Sequence, residues 1–446
     1  MYFSKKKIII LFNIITLLET AFGTNVIHLP LQRVSLKENE HLMKHKKRDD
    51  SSLLSSIFKN ADNMNNNNMN DQTVALLNDV EIHQYGIQVQ VGTPSTSFLL
   101  LLDTGSSDTW VPSIKCQRAN GCVSNQKYDS SSSSTFISRP EKVNITYAIG
   151  YATGDYFQDQ FSIGKNKQFA IKDQVLVRID DNKGPIATQA HPSKDSTIID
   201  GIFGVGYPAG TLMAMDKKNK ETYLPFIMNL WKQSLIKEPI FSLSMKPDSS
   251  NDKTSEWLGE LVLGGIDDSK HTDPIEYTKV IPNEKSGKYS HWLVNVLGFR
   301  FEGKPNNFNN FRFVEKTPFI VDTGSNFMYL PSGLANTLAS HITGKEISPN
   351  TTFYNVDCSL LKNDDTPAIH VMFPTEKNAT VSFPMSIPVS KLIGQTAEDE
   401  CFLLFMPNPP NTAFTLGNFW IRHFVSVFDF GKNRIGFSKY STSNIL

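Results

Sequence analysis

Two apolar runs, each ending in the same polar turn, stand out along the chain: Phe98-Leu-Leu-Leu-Leu-Asp103-Thr-Gly-Ser-Ser107 and Phe319-Ile-Val-Asp322-Thr-Gly-Ser325. Each run reads as a buried strand that stops abruptly at a carboxylate, with a glycine behind it that lets the chain turn sharply. Elsewhere, apolar and polar positions alternate as in half-buried strands, first over His83-Gln-Tyr-Gly-Ile-Gln-Val-Gln-Val91, which Gly92-Thr-Pro94 closes in a turn. Asn144 to Gly154 reads as a hairpin, and Glu238–Met245, Trp292–Phe299 and Phe311–Val314 as strands. Helical spacing is confined to Leu224–Ile236 and Ser332–Ile342. The pattern therefore predicts an all-β protein. Strand, Asp-Thr-Gly and a later apolar-apolar-Gly recur in both halves, at Gly204 and again at Gly417. Such a repeat predicts two similar lobes with a cleft between them.

The ends of the chain differ from this body. Lys5-Lys-Lys7, the apolar run Ile8–Leu18 and Ala21-Phe-Gly23 read as a secretory signal peptide over 1–23, too short in its apolar part for a membrane span. Residues 24–48 carry six Lys or Arg against two Glu and end in Lys47-Arg48, a dibasic processing site. Residues 49–75 are rich in Ser and Asn, including Asn65-Asn-Asn-Asn68, and read as a disordered linker. Formal charge is +0 over all 446 residues, but beyond residue 48 there are 35 basic and 41 acidic side chains, roughly −6. A basic segment thus precedes an acidic body and is attracted to it, as a removable inhibitory prosegment would be. Nothing in this balance suggests a nucleic-acid partner.

Two identical carboxylate turns suit one chemistry above others. Carboxyl groups about 3 Å apart cannot both ionise, so one keeps a proton while the other acts as base, and a water between them is activated toward an amide carbonyl. Competing chemistries lack their parts. His-Glu-x-x-His occurs nowhere, and the glycine-rich Asp200–Gly206 is not followed by Lys-Ser or Lys-Thr as a phosphate loop requires. The four cysteines Cys116, Cys122, Cys358 and Cys401 allow three pairings or, as the alternative, a zinc site. The two pairs lie in different halves and carry no His at ligand spacing, so no metal and no cofactor is expected.

The chain resembles the pepsin-like aspartic proteases over roughly residues 80 to 440. The match is carried by Tyr85-Gly-Ile-Gln-Val-Gln-Val-Gly-Thr-Pro94, Leu102-Asp-Thr-Gly-Ser-Ser-Asp-Thr-Trp-Val-Pro112, Gly259-Glu-Leu-Val-Leu-Gly-Gly-Ile-Asp267 and the closing Ala413–Asp429 with Asn433–Phe437. Val26-Ile-His-Leu-Pro-Leu-Gln-Arg33 is similar to the start of that family's prosegment, which lies along the body. The dibasic site and Asp108-Thr-Trp110 are most similar to secreted yeast members. The resemblance implies that Asp103 and Asp322 are the catalytic dyad, supported by Thr104, Gly105, Ser106, Thr323, Gly324 and Ser325. In this scheme the two threonines crosslink the lobes, and the serines bond the outer oxygens of their aspartates. It places Tyr147 on a flap that closes over substrate and bonds Trp110, with Ile149 and Gly150 at the flap's tip. Ala148 and Ile149 depart from the family's usual Gly and Thr or Asp. One disulfide loop per lobe, Cys116–Cys122 and Cys358–Cys401, matches two of the family's three bridges.

The expected organisation is a signal peptide (1–23), a prosegment (24–48), a linker (49–75), an N-terminal lobe (76–242) and a C-terminal lobe (243–446). The expected activity is a secreted, monomeric aspartic endopeptidase without a membrane anchor, acting on polypeptides at acidic pH with apolar residues flanking the scissile bond. A processing convertase is its expected partner, and Asn144, Asn350 and Asn378 are its glycosylation candidates. The rival from another class is a catalytically dead binding protein that keeps the cleft, against which stand both intact Asp-Thr-Gly turns and the flap tyrosine.

Overall fold

The structure, a computed structural model, describes residues 26–35, 83–147, 150–164, 169–189, 198–216, 222–245, 259–302, 310–362, 366–397 and 400–440. The expected signal peptide and linker, Lys47-Arg48 and Ile149 lie outside these residues.

The apolar run ending at Asp103 forms the strand Thr96–Asp103, buried from Phe98 onward. It sits centrally in an eight-stranded sheet, antiparallel to His83–Val91 on one side and parallel to Gly201–Gly204 on the other. A strand enclosed in this way loses water from both faces, which explains why its sequence is continuously apolar and does not alternate. The run ending at Asp322 belongs to Asn310–Asp322, central in a seven-stranded sheet and parallel to Phe414–Gly417. The registers repeat: Asp103 lies opposite Gly204, and Asp322 opposite Gly417. Each short parallel partner also bridges a further strand in antiparallel fashion, Trp110 to Ile202 in one sheet and Tyr329 to Thr415 in the other. The structure is thus all-β and bilobal, with the two halves built alike.

A third, six-stranded sheet combines Gly259–Leu263, Ile240–Met245, Phe424–Asp429, Arg434–Lys439 and Glu276–Lys279 with an edge strand from near the start of the chain, Ile27–Pro30. Ile27, Leu29 and Leu31 bury their side chains in the main core, and His28 points outward to Glu260 at 3.1 Å. The next strand, Gln32–Ser35, pairs with His83–Val91 of the first lobe. The described part of the expected basic segment, residues 26–35, thus supplies one edge strand to each of two sheets.

Helices are few among the described residues. Ser332–Thr343 forms as the pattern predicts, with Leu334, Ala335, Leu338 and Ala339 buried on one face and Gly344 at its C-terminus in the left-handed region. The helix expected over Leu224–Ile236 is shorter, Phe226–Lys232. Pro225 keeps the residue before it out of the helical region, and Ser234 turns left-handed with φ 58°. Leu235 then donates back to the Leu230 carbonyl, so that Ile236 reaches the core without continuing the helix.

One buried carboxylate supports the parallel pairing behind Asp103. Asp200, directly before Gly201–Gly204, accepts from the Leu99 N–H at 2.6 Å and from the Ser124 hydroxyl. Burial pushes its pKa up to about 6, against the pull of these donors and of Lys127. Because the folded value lies above the unfolded one, the contribution is fully present below about pH 4 and is lost as pH rises through 6, about 3 kcal/mol in all. Asp200→Asn should therefore narrow the difference between melting temperatures at pH 4 and pH 7 by several degrees. Thermal unfolding of both proteins at the two pH values measures it, and an unchanged difference would refute this assignment.

Candidate active site

Two strand ends meet where the lobes join. Thr104, immediately after Asp103, donates its hydroxyl to the Val321 carbonyl at 2.8 Å, and Thr323 donates to the Leu102 carbonyl at 2.7 Å. Each hydroxyl also accepts from the other residue's backbone: Thr104 N–H to Thr323 Oγ1 at 3.1 Å, and Thr323 N–H to Thr104 Oγ1 at 2.9 Å. Both side chains are buried, and with one proton given and one received each hydroxyl is satisfied. Valine in either place would have the shape but would orphan a buried carbonyl and a buried N–H of the opposite lobe.

This lattice brings the two carboxyl groups face to face. The Gly105 N–H donates to Asp103 Oδ1 and the Gly324 N–H to Asp322 Oδ1, both at 2.8 Å. Ser106 Oγ donates to Asp103 Oδ2 at 2.5 Å and Ser325 Oγ to Asp322 Oδ2 at 2.6 Å. The glycines are required by approach distance. A Cβ on Gly105 would collide with the Asp322 carboxylate, and one on Gly324 would lie 2.5 Å from Asp103 Oδ1. Burial, followed by the charge of Asp322, holds the Asp103 carboxyl well above the usual carboxylate range, while Ser106 and Gly105 pull the other way. A carboxyl that retains its proton beside one that faces it is the arrangement a shared-proton pair needs.

Above the pair opens a cleft of about 340 Å³. The hairpin of Ile137–Thr146 and Tyr151–Ile163, with Gly150 at φ 97° in its turn, lines one side of it. Tyr147 lines the cleft and accepts from Trp110 Nε1 at 2.8 Å. Its phenol is kept protonated, first by burial and then by the charge of Asp103. The apolar lining comes from Leu101, Ile145, Ile202, Leu212, Met215 and Phe327.

Cys116 is bonded to Cys122 and Cys358 to Cys401. Asn144, Asn350 and Asn378 all have exposed side chains. A group of possible metal ligands brings together His28 and Glu260 of the six-stranded sheet and Asp267 from the loop after Gly259–Leu263, apart from the residues lining the cleft.

Sequence reading missed several cleft residues. His291 and Tyr329 both line it. Burial lowers the His291 pKa while the charge of Asp322 raises it, and burial holds the Tyr329 phenol protonated. Neither carries a local signal: His291 lies just before the strand Leu293–Phe301, and Tyr329 is the middle residue of the three-residue strand Met328–Leu330. Asp108 was legible only as part of a motif, yet it is buried and takes three hydrogen bonds beside the cleft.

Comparison with known proteins agrees with this geometry. The family model described as "Eukaryotic aspartyl protease" matches residues 84–440. Mucorpepsin of Rhizomucor miehei is 35% identical over 371 residues, covering 82% of this chain and 80% of the relative. Gastricsin of Cavia porcellus is 26% identical over 360 residues, 79% of each. Among solved structures, the aspartic proteinase from Irpex lacteus superposes with a TM-score of 0.60 at 23% identity, over 81% of this chain and 95% of that one, a likeness of fold. With the family matched from the first strand of the body to the last and both Asp-Thr-Gly turns facing one cleft, the chain belongs to the pepsin-like eukaryotic aspartyl proteases and is an aspartic-type endopeptidase.

Proposed function

We propose that the chain is the precursor of a secreted, monomeric endopeptidase that hydrolyses polypeptides at acidic pH through a water held between Asp103 and Asp322. The reading rests on the facing pair, in which each carboxylate has one oxygen on a glycine N–H and the other on a serine hydroxyl. The ionised carboxyl takes a proton from the water as its oxygen attacks the scissile carbonyl, and the protonated one donates to that carbonyl oxygen. Collapse of the tetrahedral intermediate then returns a proton to the departing amine. Tyr147, bonded to Trp110, closes the flap over the peptide and excludes bulk water. The apolar lining favours large apolar side chains at the scissile bond.

The N-terminal part of the reading draws on charge and on the edge strands. Residues 1–23 direct secretion and are removed. Residues 24–48 form an inhibitory prosegment that a convertase cuts after Lys47-Arg48. The pairing of Ile27–Pro30 with Gly259–Leu263 and the His28–Glu260 contact support a segment that lies along the body.

Four outcomes are expected. Asp103→Asn or Asp322→Asn alone should lower kcat/KM by about 10³-fold or more, with the double variant scarcely worse, since the two carboxyls act as one unit. The wild-type rate should be bell-shaped with an acidic optimum, falling on the acid side as the second carboxyl protonates and on the alkaline side as the last shared proton leaves. Kinetics across pH on folded variants measure both, and a single variant with substantial turnover would overturn the mechanism. Replacing Lys47 and Arg48 by Ala should give a longer, largely inactive product at neutral pH. Immunoblots and assays of the culture medium would show it, and a normally sized active enzyme would refute the convertase step. With Ile149 matching, by resemblance, the position where an acid would attract lysine, peptide-library profiling should find cleavage at large apolar or aromatic residues. Cleavage mainly after Lys or Arg would contradict this.

A further inference from the structure

The short helix Leu212–Met215 forms one side of the cleft, presenting a half-buried Leu212 and a Met215 that is 45% exposed. Four residues cannot hold a helix by themselves, because nucleation costs more than one turn returns. Its first three N–H groups have no partners within the helix, and each is met by a side chain. Leu212 N–H donates to Asp108 Oδ2 at 2.8 Å, Met213 N–H to Tyr156 Oη at 3.2 Å and Ala214 N–H to Thr211 Oγ1 at 3.2 Å. Two of these three anchors lead to one carboxylate. Tyr156 Oη, having accepted from Met213, donates its own proton to Asp108 Oδ1 at 2.7 Å, and Tyr223 Oη donates to the same oxygen at 2.7 Å. Asp108 is 4% exposed and Tyr223 is 9% exposed.

We infer that Asp108 is a positioning residue for substrate selection: by anchoring Leu212–Met215, it fixes the apolar side of the cleft against which a substrate side chain packs. The carboxylate suits this task because it only accepts, and all three groups facing it only donate. Burial raises its pKa and the three donors oppose that rise. An amide cannot replace it. With its oxygen on the tyrosines, its NH2 faces the Leu212 N–H; turned over, it leaves both tyrosine protons without an acceptor. In either orientation the helix loses part of its anchorage, and the wall it carries loses its fixed place while Asp103 and Asp322 keep their own partners. The cost therefore falls on binding of large apolar side chains and not on the chemical step.

The inference rests on the cleft being the peptide-binding site proposed above, so its test includes a readout that needs no turnover. In the full chain, amide exchange at Leu212 and Met213 should be about tenfold faster in Asp108→Asn than in wild type. With peptide pairs carrying Phe or Ala at each position on either side of the scissile bond, the Phe-over-Ala ratio of kcat/KM at one position should fall about tenfold, through KM. Tyr223→Phe, which removes one donor from outside the cleft lining, should lower the same ratio about threefold. It decides the matter if the Asp108 variant does not fold. Unchanged exchange at both amides, or unchanged ratios at every position in folded variants, would overturn the proposal.

Discussion

The reciprocal hydrogen bonds between Thr104 and Thr323 are the constraint on which the other features of the site depend. They join two separately formed sheets through four contacts of 2.7–3.1 Å made by only two side chains. A buried hydroxyl without partners costs about as much as the bonds it forsakes, so the lobes lock in one relative position or lose all four contacts together. That position sets the separation of the carboxyl groups. It also crowds the backbone until only glycine fits at 105 and 324. The recurring Asp-Thr-Gly is thus one requirement expressed three ways: a charge, a crosslink and an absent side chain.

Burial of carboxylates is a second theme, concentrated in the first lobe. Asp103, Asp108 and Asp200 are all buried, and in each case desolvation is the largest influence on the pKa. What differs is what faces them. Asp103 faces another carboxyl, Asp108 faces two phenols and a backbone N–H, and Asp200 faces a hydroxyl, a backbone N–H and a more distant lysine. The same residue type is accordingly placed to share a proton, to anchor a helix and to brace a strand.

The N-terminal strand ties this architecture to the proposed precursor. Ile27–Pro30 covers the edge of Gly259–Leu263, and Leu31 donates to the Gly259 carbonyl at 2.9 Å. Removal of the segment would leave that edge unpaired and uncover the pockets of Leu29 and Leu31, a costly state for an open sheet edge. A strand integrated in this way contributes to the fold as well as to any inhibition.

Much of this was legible in the sequence, because the decisive features are local. An apolar run ending in Asp-Thr-Gly encodes a buried strand with a carboxylate at its tip, and its repetition encodes two lobes facing a cleft. The hairpin around Gly150 and the helix at Ser332–Thr343 follow from the same short-range rules. Features made by residues far apart in the chain were not legible. The helix expected to reach Ile236 stops at Lys232, where Ser234 turns left-handed and lets Ile236 pack into the core. Tyr156, Tyr223 and Leu212 converge on Asp108 across separations of 48 to 115 residues, and His291 and Tyr329 reach the cleft from the second lobe. Sequence pattern determined the strands, the repeat and the paired carboxylates, since these depend on neighbours within a few positions. Tertiary structure alone decided which walls those carboxylates face and what holds the walls in place, since a hydrogen-bond partner is chosen by distance in space and leaves no period in the chain.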